Sequence, residues 1–261
     1  MQVSLISHTE NPEGVVASAA KLCYSNTSAK DLISILDSTS TSRLISKLNS
    51  YGHQSPLEHA SFTFSIGGVS RSLLAQITRH RIASFSVQSQ RYVSQENTEY
   101  VVPKEISDCK DALDLFNSTM CCIQDAYRKI TDILYNKYLN CLGHEASESE
   151  KNTLKKKAIE NARAVLPNAC ETEMVVTMNA RELRHFFELR CCNRAQDEIR
   201  ELATHMYCLV YKVAPNLFAT AGPSCTRGVC NQGKMCCGEC EEMIKKFSDI
   251  RIEVDKYAKT Y

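Results

Sequence analysis

An apolar segment that leads into a cluster of cations constrains this chain more than any other feature. Leu73-Leu74-Ala75-Gln76-Ile77 precedes Arg79-His80-Arg81, and Ser89 and Arg91 follow after a short interval. Cations at the C-terminal end of a helix complement its dipole, and guanidinium groups donate in pairs to phosphate or carbonyl oxygens. We therefore expect a helix that ends at these cations and holds them against the body of the fold, as a pocket for one small anion.

The near-zero net charge limits the partners of such a cluster. Lys and Arg number 31 and Asp and Glu 30, which argues against capture of nucleic acid or of an anionic membrane by bulk electrostatics. No run approaches the roughly 18 apolar residues of a transmembrane helix, and residues 1–7 lack the pattern of a secretory signal. Fourteen cysteines, many in apparent helices, then favour reduced thiols in a soluble, cytoplasmic protein.

The periodicity of apolar residues predicts a mixture of strands and helices. Residues 83–98 are polar and are expected to form a loop. Apolar and polar residues alternate from His59 to Ile66, where Gly67-Gly68 is expected to end a strand, and further strands are expected over 1–7, 100–103 and 173–177. Helices are expected over 13–25, 41–51, 70–81 and 107–141, in a Lys-rich segment that Pro167 ends, and from residues 179 and 193.

This mixture predicts the fold class α+β. We expect a single domain over residues 1–220, with a mixed or antiparallel sheet flanked by helices and a largely helical insertion between its strand-containing halves. Residues 221–261 form a Cys-rich C-terminal extension that is expected to pack on this domain.

Two interpretations of the Arg79–Arg91 segment remain open from the residues alone. In one, the arginines only satisfy the end of a helix, and a polar loop follows. In the other, the loop folds back, so that the Ser89 hydroxyl, loop N–H groups and arginines form a phosphate pocket. A hydrolase with Ser89 as nucleophile and His80 as base is disfavoured, because no Gly-x-Ser-x-Gly turn surrounds Ser89.

Polar side chains are dense in the turn from Tyr51 to His59. A capped turn with solvated side chains is the simpler interpretation, and a loop that lines a cofactor is the alternative. A metal site formed by His53, Glu58 and His59 is weaker, because no further ligand is apparent and the spacing is not typical of zinc.

Arg190 extends an apolar helical stripe. Leu183, Phe186, Phe187 and Arg190 fall on one helical face, so the guanidinium is expected at the rim of a core. There it either reaches solvent or pairs with a carboxylate, or, if it faces a pocket, it stabilises a developing anion by several kcal/mol.

The tail carries five cysteines. They are Cys225, Cys230, Cys236, Cys237 and Cys240, with no histidine nearby. A structural metal ranks below free thiols here, since one pair alone has the familiar two-residue gap, and no metal ligand is assigned from the sequence.

Taken in order, the motifs of this chain resemble those of the flavin-dependent thymidylate synthases. Arg79-His80-Arg81, seven residues and Ser89, followed by Arg91-Tyr92, correspond to the hallmark of that family. The likeness runs from about residue 15 to 215, and its other motifs are His53-x-Ser55-Pro56-x-Glu58-His59, Ala162-Arg163-x2-Leu166-Pro167, Asn179-Ala180-Arg181, Leu189-Arg190 and Ala195-Gln196-x-Glu198-Ile199.

Two positions depart from the family pattern. Ser86-Val87 stands where many members have Asn-Glu, so a contact at Val87 is expected through its backbone. His185 stands where some members have asparagine, and its ring would then replace the amide as a hydrogen-bonding group toward flavin.

The resemblance implies reductive methylation of dUMP to dTMP. Methylenetetrahydrofolate would supply the carbon and NADPH would reduce FAD, without a cysteine nucleophile, in a homotetramer whose sites combine residues of more than one subunit.

The resemblance also implies roles for individual residues. Arg190 is the expected catalytic residue, which favours the deprotonated N3 of uracil and so makes C5 nucleophilic. Flavin contacts are expected from Ser55, Arg79, His80, Arg81, Val87, Asn179, Arg181 and His185. Nucleotide contacts are expected from Gln76, Arg79, Val87, Gln88, Ser89, Gln90, Arg91, Arg163 and Arg190.

Two other classes of protein stay as alternatives. One is a non-catalytic nucleotide- or RNA-binding protein that uses the Arg79–Arg91 cluster, whose affinity would fall steeply with salt. The other is a zinc-stabilised interaction module built on the tail, which is compatible with the enzyme.

Overall fold

The computed structural model describes residues 1–96 and 98–258. Asn97, within the predicted loop 83–98, and residues 259–261, at the end of the predicted extension 221–261, lie outside the described residues. The described elements are β1 Gln2–His8, α1 Pro12–Leu22, α2 Ala29–Ile35, α3 Ser38–Tyr51, β2 Ser61–Ser70, α4 Arg71–Ile77, β3 Ala83–Val87, α5 Lys104–Ser107, α6 Lys110–Asn140, α7 Glu148–Ala162, β4 Glu171–Asn179, α8 Ala180–Arg190, α9 Asp197–Val213, α10 Pro215–Phe218 and α11 Cys240–Ala258. Four 3-10 helices are Ser55–His59, Arg163–Val165, Ser224–Arg227 and Gly233–Met235.

The four strands form one small antiparallel sheet with the order β1-β2-β4-β3. Alternation in β2 buries Phe62, Phe64 and Ile66 on one face. On the other face, the hydroxyls of Thr63 and Thr177 lie 2.9 Å apart as a cross-strand pair. The predicted α+β class with an antiparallel sheet is therefore confirmed.

The described chain divides into two compact units. The first unit comprises residues 1–66, 76–86 and those from 175 onward. Its core is aromatic: Phe187 meets Tyr207 and Phe218 edge-on, with ring centroids 5.6 and 6.0 Å apart. Such pairs add to the free energy gained from burying their area. The predicted boundary at residue 220 stays a prediction.

The second unit comprises residues 67–75 and 87–174. Helices α6 and α7 pack against each other in it, and α7 begins with a capping box between Ser147 and Glu150. Tyr127 of α6 is fully buried, and its hydroxyl accepts a hydrogen bond from the backbone N–H of Gln95 at 3.2 Å. The long predicted helix and the Lys-rich helix are thus both present.

Several predicted boundaries are wrong. Strand β2 continues through Gly67-Gly68 to Ser70, because Gly68 absorbs a φ of +68° without ending the ladder. Within the predicted loop 83–98, Ala83–Val87 is a strand with alternating half-buried and exposed residues. Pairing with β4 makes this segment a strand, although its polar residues are typical of a loop.

The helix before the cations is also shorter than predicted. It ends at Ile77 rather than at Arg81, and the N–H of His80 donates to the carbonyl of Ile77 at 3.0 Å in a tight turn. Residues 100–103 form a single bridge, between Tyr100 and Cys170, instead of a strand. In the part of the chain that the structure describes, no helix combines the length and the apolar character needed to cross a membrane.

Candidate functional site

Helix α8 positions the predicted catalytic residue. Its N-cap is Asn179, whose Oδ1 accepts from the N–H of Glu182 at 2.8 Å. Leu183, Phe186 and Phe187 are fully buried, as the apolar stripe predicts. Arg190, the last residue of the helix, is half-buried at the rim of this core. The sequence therefore places a cation at the C-terminal end of a helix, where the dipole favours it.

Each ring nitrogen of His80 contacts one charged side chain, a carboxylate on one side and a guanidinium on the other. Its Nδ1 lies 2.8 Å from Oε1 of Glu182, and Nε of Arg190 donates to its Nε2 at 3.2 Å. An arginine N–H only donates, so Nε2 carries no proton and Nδ1–H donates to the carboxylate. Both His80 and Glu182 are buried. The geometry thus selects one neutral tautomer of His80.

The pKa of His80 agrees with this assignment. Burial lowers the pKa below its usual value, and the positive charge of Arg190 and the neighbouring His185 lower it further, while Glu182 opposes the shift. The ring of His80 also meets Phe186 edge-on at 5.0 Å. A neutral imidazole is therefore the stable form in this apolar setting.

Arg190 keeps its positive charge without a carboxylate partner. The edge formed by its Nε and Nη2 donates to His80 and, at 3.3 Å, to the backbone carbonyl of Gln76. No ion pair involves Arg190 among the residues that the structure describes. Burial, followed by the charge of Arg79, lowers the pKa of Arg190. Its opposite edge, with Nη1, is the part of the guanidinium left for a ligand.

Several predicted flavin residues lie around this cluster in the first unit. Arg79, Arg81 and His185 are exposed, and the rings of His185 and His80 are 5.7 Å apart. A cavity of about 710 Å³ is lined by His185 and by Gln54, among other residues. His185 thus joins the cavity to the ring of His80. The described residues that line the cavity do not include Arg79, Arg81 or Arg190.

The predicted flavin loop is tied to the start of α8. Arg181 donates to the carboxylate of Glu58 across this connection, which disfavours the metal site once considered at His53, Glu58 and His59. Ser55 opens the 3-10 helix and is exposed. This ion pair is about half exposed and links the turn to the helix at the surface.

The predicted phosphate residues belong to the second unit, apart from Gln76 and Arg79. Arg91 is paired with Glu160 at 2.7 Å, and its backbone N–H donates to the Ser89 hydroxyl at 3.2 Å. The Gln88 N–H donates to the carbonyl of Glu173 at 2.9 Å, so it is committed to the sheet. Val87 and Gln90 are half-buried and Arg163 is exposed. Arg91, Ser89 and Gln88 are thus held in place by bonds to other residues of the second unit.

Sequence reasoning missed two charged residues. Glu182 looks like an ordinary acidic residue in the first turn of a helix, yet it is the buried partner of His80. Arg71 begins α4, where the helix dipole disfavours a cation. Its Nη2 donates to the carbonyl of Gln88 at 2.7 Å, and burial and then Arg163 lower its pKa. A cation at the first position of a helix is unfavourable, and this was the sequence feature that could have drawn attention to Arg71.

Comparisons with known proteins point to one family. The family model described as thymidylate synthase complementing protein matches residues 4–216. A flavin-dependent thymidylate synthase of Clostridium tetani is 50% identical over 245 residues, which cover 94% of this chain and 96% of the relative. One of Geobacter sulfurreducens is 45% identical, with 97% and 100% covered.

A solved structure agrees with these relatives. The flavin-dependent thymidylate synthase ThyX of Helicobacter pylori, in complex with FAD and dUMP, superposes with a TM-score of 0.59 and 25% identity. The likeness covers 85% of this chain and 100% of the other. The enzyme interpretation is confirmed, and the non-catalytic nucleotide-binding alternative is wrong. The chain belongs to the thymidylate synthase complementing protein family, the flavin-dependent thymidylate synthases, which make dTMP.

Proposed function

We propose that this enzyme converts dUMP to dTMP with methylenetetrahydrofolate as the carbon donor and FAD reduced by NADPH. The proposal extends the family assignment to particular substrates and reductant. It is supported by the FAD and dUMP bound to the Helicobacter pylori enzyme and by one observation in this chain: the charge of Arg190 is fixed in place without a carboxylate to neutralise it.

The residues of the first unit fit a flavin dinucleotide. Arg79 and Arg81 offer exposed guanidinium groups to its pyrophosphate. His185 offers an exposed ring beside His80, at the edge of a cavity of about 710 Å³. Ser55, Arg181 and Asn179 add hydroxyl, cationic and amide groups. Val87, which belongs to the second unit, adds its backbone. When bound, FAD supplies the hydride transfer, and these residues supply orientation and charge.

Arg190 acts on the uracil. Its unengaged edge donates to the pyrimidine and favours the N3-deprotonated form of uracil in its equilibrium with solvent, which takes up the proton, because a fixed cation stabilises the anion in a partly desolvated place. Deprotonation pushes electron density to C5, which makes this carbon nucleophilic without a thiol at C6. His80 holds Arg190 in the productive orientation, and Gln76 adds an amide contact to the nucleotide.

The second unit supplies the phosphate ligands. Arg91 and Arg163 donate to the phosphate oxygens, together with the Ser89 hydroxyl and groups of Gln88 and Gln90. Arg91 exchanges its present partner Glu160 for the phosphate, at little net cost because the pair is about half exposed. Arg79 contacts both flavin and nucleotide.

The enzyme works as a cytoplasmic homotetramer whose sites draw residues from more than one subunit. Its partners are dUMP and the other reactants, with neither nucleic acid nor membrane. Mass measurement of the native protein at assay concentrations tests the assembly, and a stable monomer would contradict it.

The reaction is tested by omission. Purified protein with FAD, NADPH, methylenetetrahydrofolate and dUMP is expected to form dTMP, and leaving out any one component is expected to abolish the product. In anaerobic solution, NADPH should bleach the flavin absorbance, and dUMP with methylenetetrahydrofolate should restore it. Product without flavin, or activity with NADH alone, would contradict the proposal.

A further inference from the structure

The Cys-rich tail brings three thiols together. The Sγ atoms of Cys230, Cys236 and Cys240 all lie within 4.8 Å of one another, and those of Cys236 and Cys240 are 3.6 Å apart. These residues are separated in sequence by five and three residues. The fold therefore gathers them in space, although their spacing alone ranked a metal below free thiols.

The separation of the sulfurs suits ligands of a single ion. Four thiolates around zinc, each at about 2.3 Å, stand about 3.8 Å from one another in a tetrahedron. Bonded sulfurs would be about 2.05 Å apart. The observed 3.6 Å between Cys236 and Cys240 is close to the first value and far from the second.

A fourth sulfur lies beside the three. Cys225 is buried and its thiol interacts with those of Cys240 and Cys230, but its Sγ falls outside the group of three that all lie within 4.8 Å of one another. Cys237, next to Cys236 in sequence, is exposed. Cys225 is the buried thiol that would complete a set of four by moving into the group. Cys237, whose thiol interacts with Cys236, is the exposed alternative that substitution must distinguish from it.

The backbone around Cys236 supports a thiolate. The N–H of Gly238 points at Sγ of Cys236 at 3.5 Å, an outer contact that orients a metal ligand and stabilises its negative charge. Gly238 has a φ of +85°, which lets the chain turn back over the sulfur. A residue with a side chain would be strained there.

Little apolar burial holds this segment in place. Val229 is 95% exposed and Met235 is 56% exposed, and two 3-10 helices, Ser224–Arg227 and Gly233–Met235, are the regular structure before α11. Small segments of this kind commonly depend on a metal for their fold.

We propose that Cys225, Cys230, Cys236 and Cys240 bind one zinc ion as a closed tetrahedral site. The ion orders the segment that contacts α8: Arg227 donates to Glu188 at 2.7 Å, and Asn231 donates to the same carboxylate at 2.9 Å. Glu188 lies two residues before Arg190. The zinc is structural, because four thiolates leave no open position for a reactant, and through Glu188 it helps to position α8.

Metal content tests the site independently of catalysis. Full-length protein, purified under reducing conditions without chelator, is expected to carry about one zinc per chain by elemental analysis. Loading the metal-free protein with Co²⁺ should produce the intense visible absorption of a tetrahedral cobalt thiolate. This spectrum needs no variant and no flavin.

Single substitutions identify the ligands. Cys225→Ser, Cys230→Ser and Cys236→Ser are each expected to lose most of the zinc and to lower the melting temperature, whereas Cys237→Ser should keep both. Reduced protein that binds neither Zn²⁺ nor Co²⁺ would overturn the proposal. So would iron with inorganic sulfide in place of zinc, or a Cys237→Ser protein that loses the metal while Cys225→Ser retains it.

Discussion

Nε of Arg190 donates a hydrogen bond to Nε2 of His80 at 3.2 Å. This one bond fixes the state of both residues. The ring must be neutral with its proton on Nδ1, directed at Glu182 at 2.8 Å. The guanidinium, which stays protonated in proteins, keeps an uncompensated charge because its acceptor is uncharged. A row formed by buried Glu182 and His80 and half-buried Arg190 therefore orients a cation without neutralising it. A carboxylate in direct contact with Arg190 would orient it equally well but would cancel the field that the substrate needs.

Arg190→Ala is expected to lower kcat/KM for dUMP by about 100-fold or more, the loss typical of removing one donor that stabilises a developing anion. Bound FAD, measured from the flavin absorbance of the purified protein, should change little. Arg190→Lys should recover little activity, because an ammonium group cannot bond His80 and present a second edge together.

Arg194→Ala is the matched control for that change. Arg194 lies four residues later, is exposed, and should tolerate substitution with less than a twofold change. Full activity in Arg190→Ala, or an equal loss in both variants, would refute the role of Arg190.

His80 is expected to make the protein less stable in mild acid. Its folded pKa is lowered, so below about pH 6.5 the unfolded chain binds a proton that the folded chain resists, and the free energy of unfolding falls as pH falls toward the folded pKa. Replacing the ring in His80→Gln removes this contribution. Denaturant unfolding of both proteins between about pH 7.5 and 5.5 checks it.

Comparing how the free energy of unfolding changes with pH in wild type and in His80→Gln separates the effect of His80 from that of the other histidines. His144 has a raised pKa through its bond to Glu150 and contributes with the opposite sign in both proteins. An equal loss of stability in wild type and His80→Gln would contradict the neutral-ring assignment.

How far the sequence predicts this site depends on the range of the interactions. The apolar stripe of α8 is local, so its periodicity correctly placed Arg190 at the end of a helix and at the rim of a core. The bond from Arg190 to His80 joins positions 110 residues apart, and that from His80 to Glu182 spans 102. No local pattern reports such pairings.

The errors in secondary structure have the same origin. Ala83–Val87 is polar enough to resemble a loop, and its strand state is imposed by pairing with a distant segment. Gly67-Gly68 looks like a strand terminator locally, yet the continuing ladder carries β2 through it. Partners that are remote in sequence, rather than misjudged propensities, account for both differences.

Arg163→Ala is expected to raise KM for dUMP by about tenfold or more, because a charge-assisted hydrogen bond to phosphate contributes about 1.5–3 kcal/mol. The flavin content and the rate of flavin reduction by NADPH should not change, since these steps do not use the phosphate. Lys155→Ala, an exposed cation on the neighbouring helix α7, controls for the loss of one positive charge. A shift of KM that is equal in both variants would show a general charge effect and exclude a specific contact.

Asn179 has two separable roles, and its substitutions should separate them. Its Oδ1 caps α8 by accepting the N–H of Glu182 at 2.8 Å, while its amide group is proposed to contact flavin. Asn179→Ala is expected to lower the free energy of unfolding by about 1 kcal/mol through loss of the cap. It should also weaken flavin binding, because Glu182, which holds His80 in place, lies in the helical turn that Asn179 caps.

Asn179→Ser keeps an N-cap oxygen but removes the amide group. Its free energy of unfolding should therefore stay near the wild-type value, while its affinity for FAD, measured by fluorescence titration of the flavin-free protein, should fall toward that of Asn179→Ala. If serine restored both properties, capping alone would explain the effect of Asn179→Ala, and the contact with flavin would be wrong. If serine restored neither, the hydroxyl would not be reaching the N–H of Glu182, and the cap itself would depend on the amide.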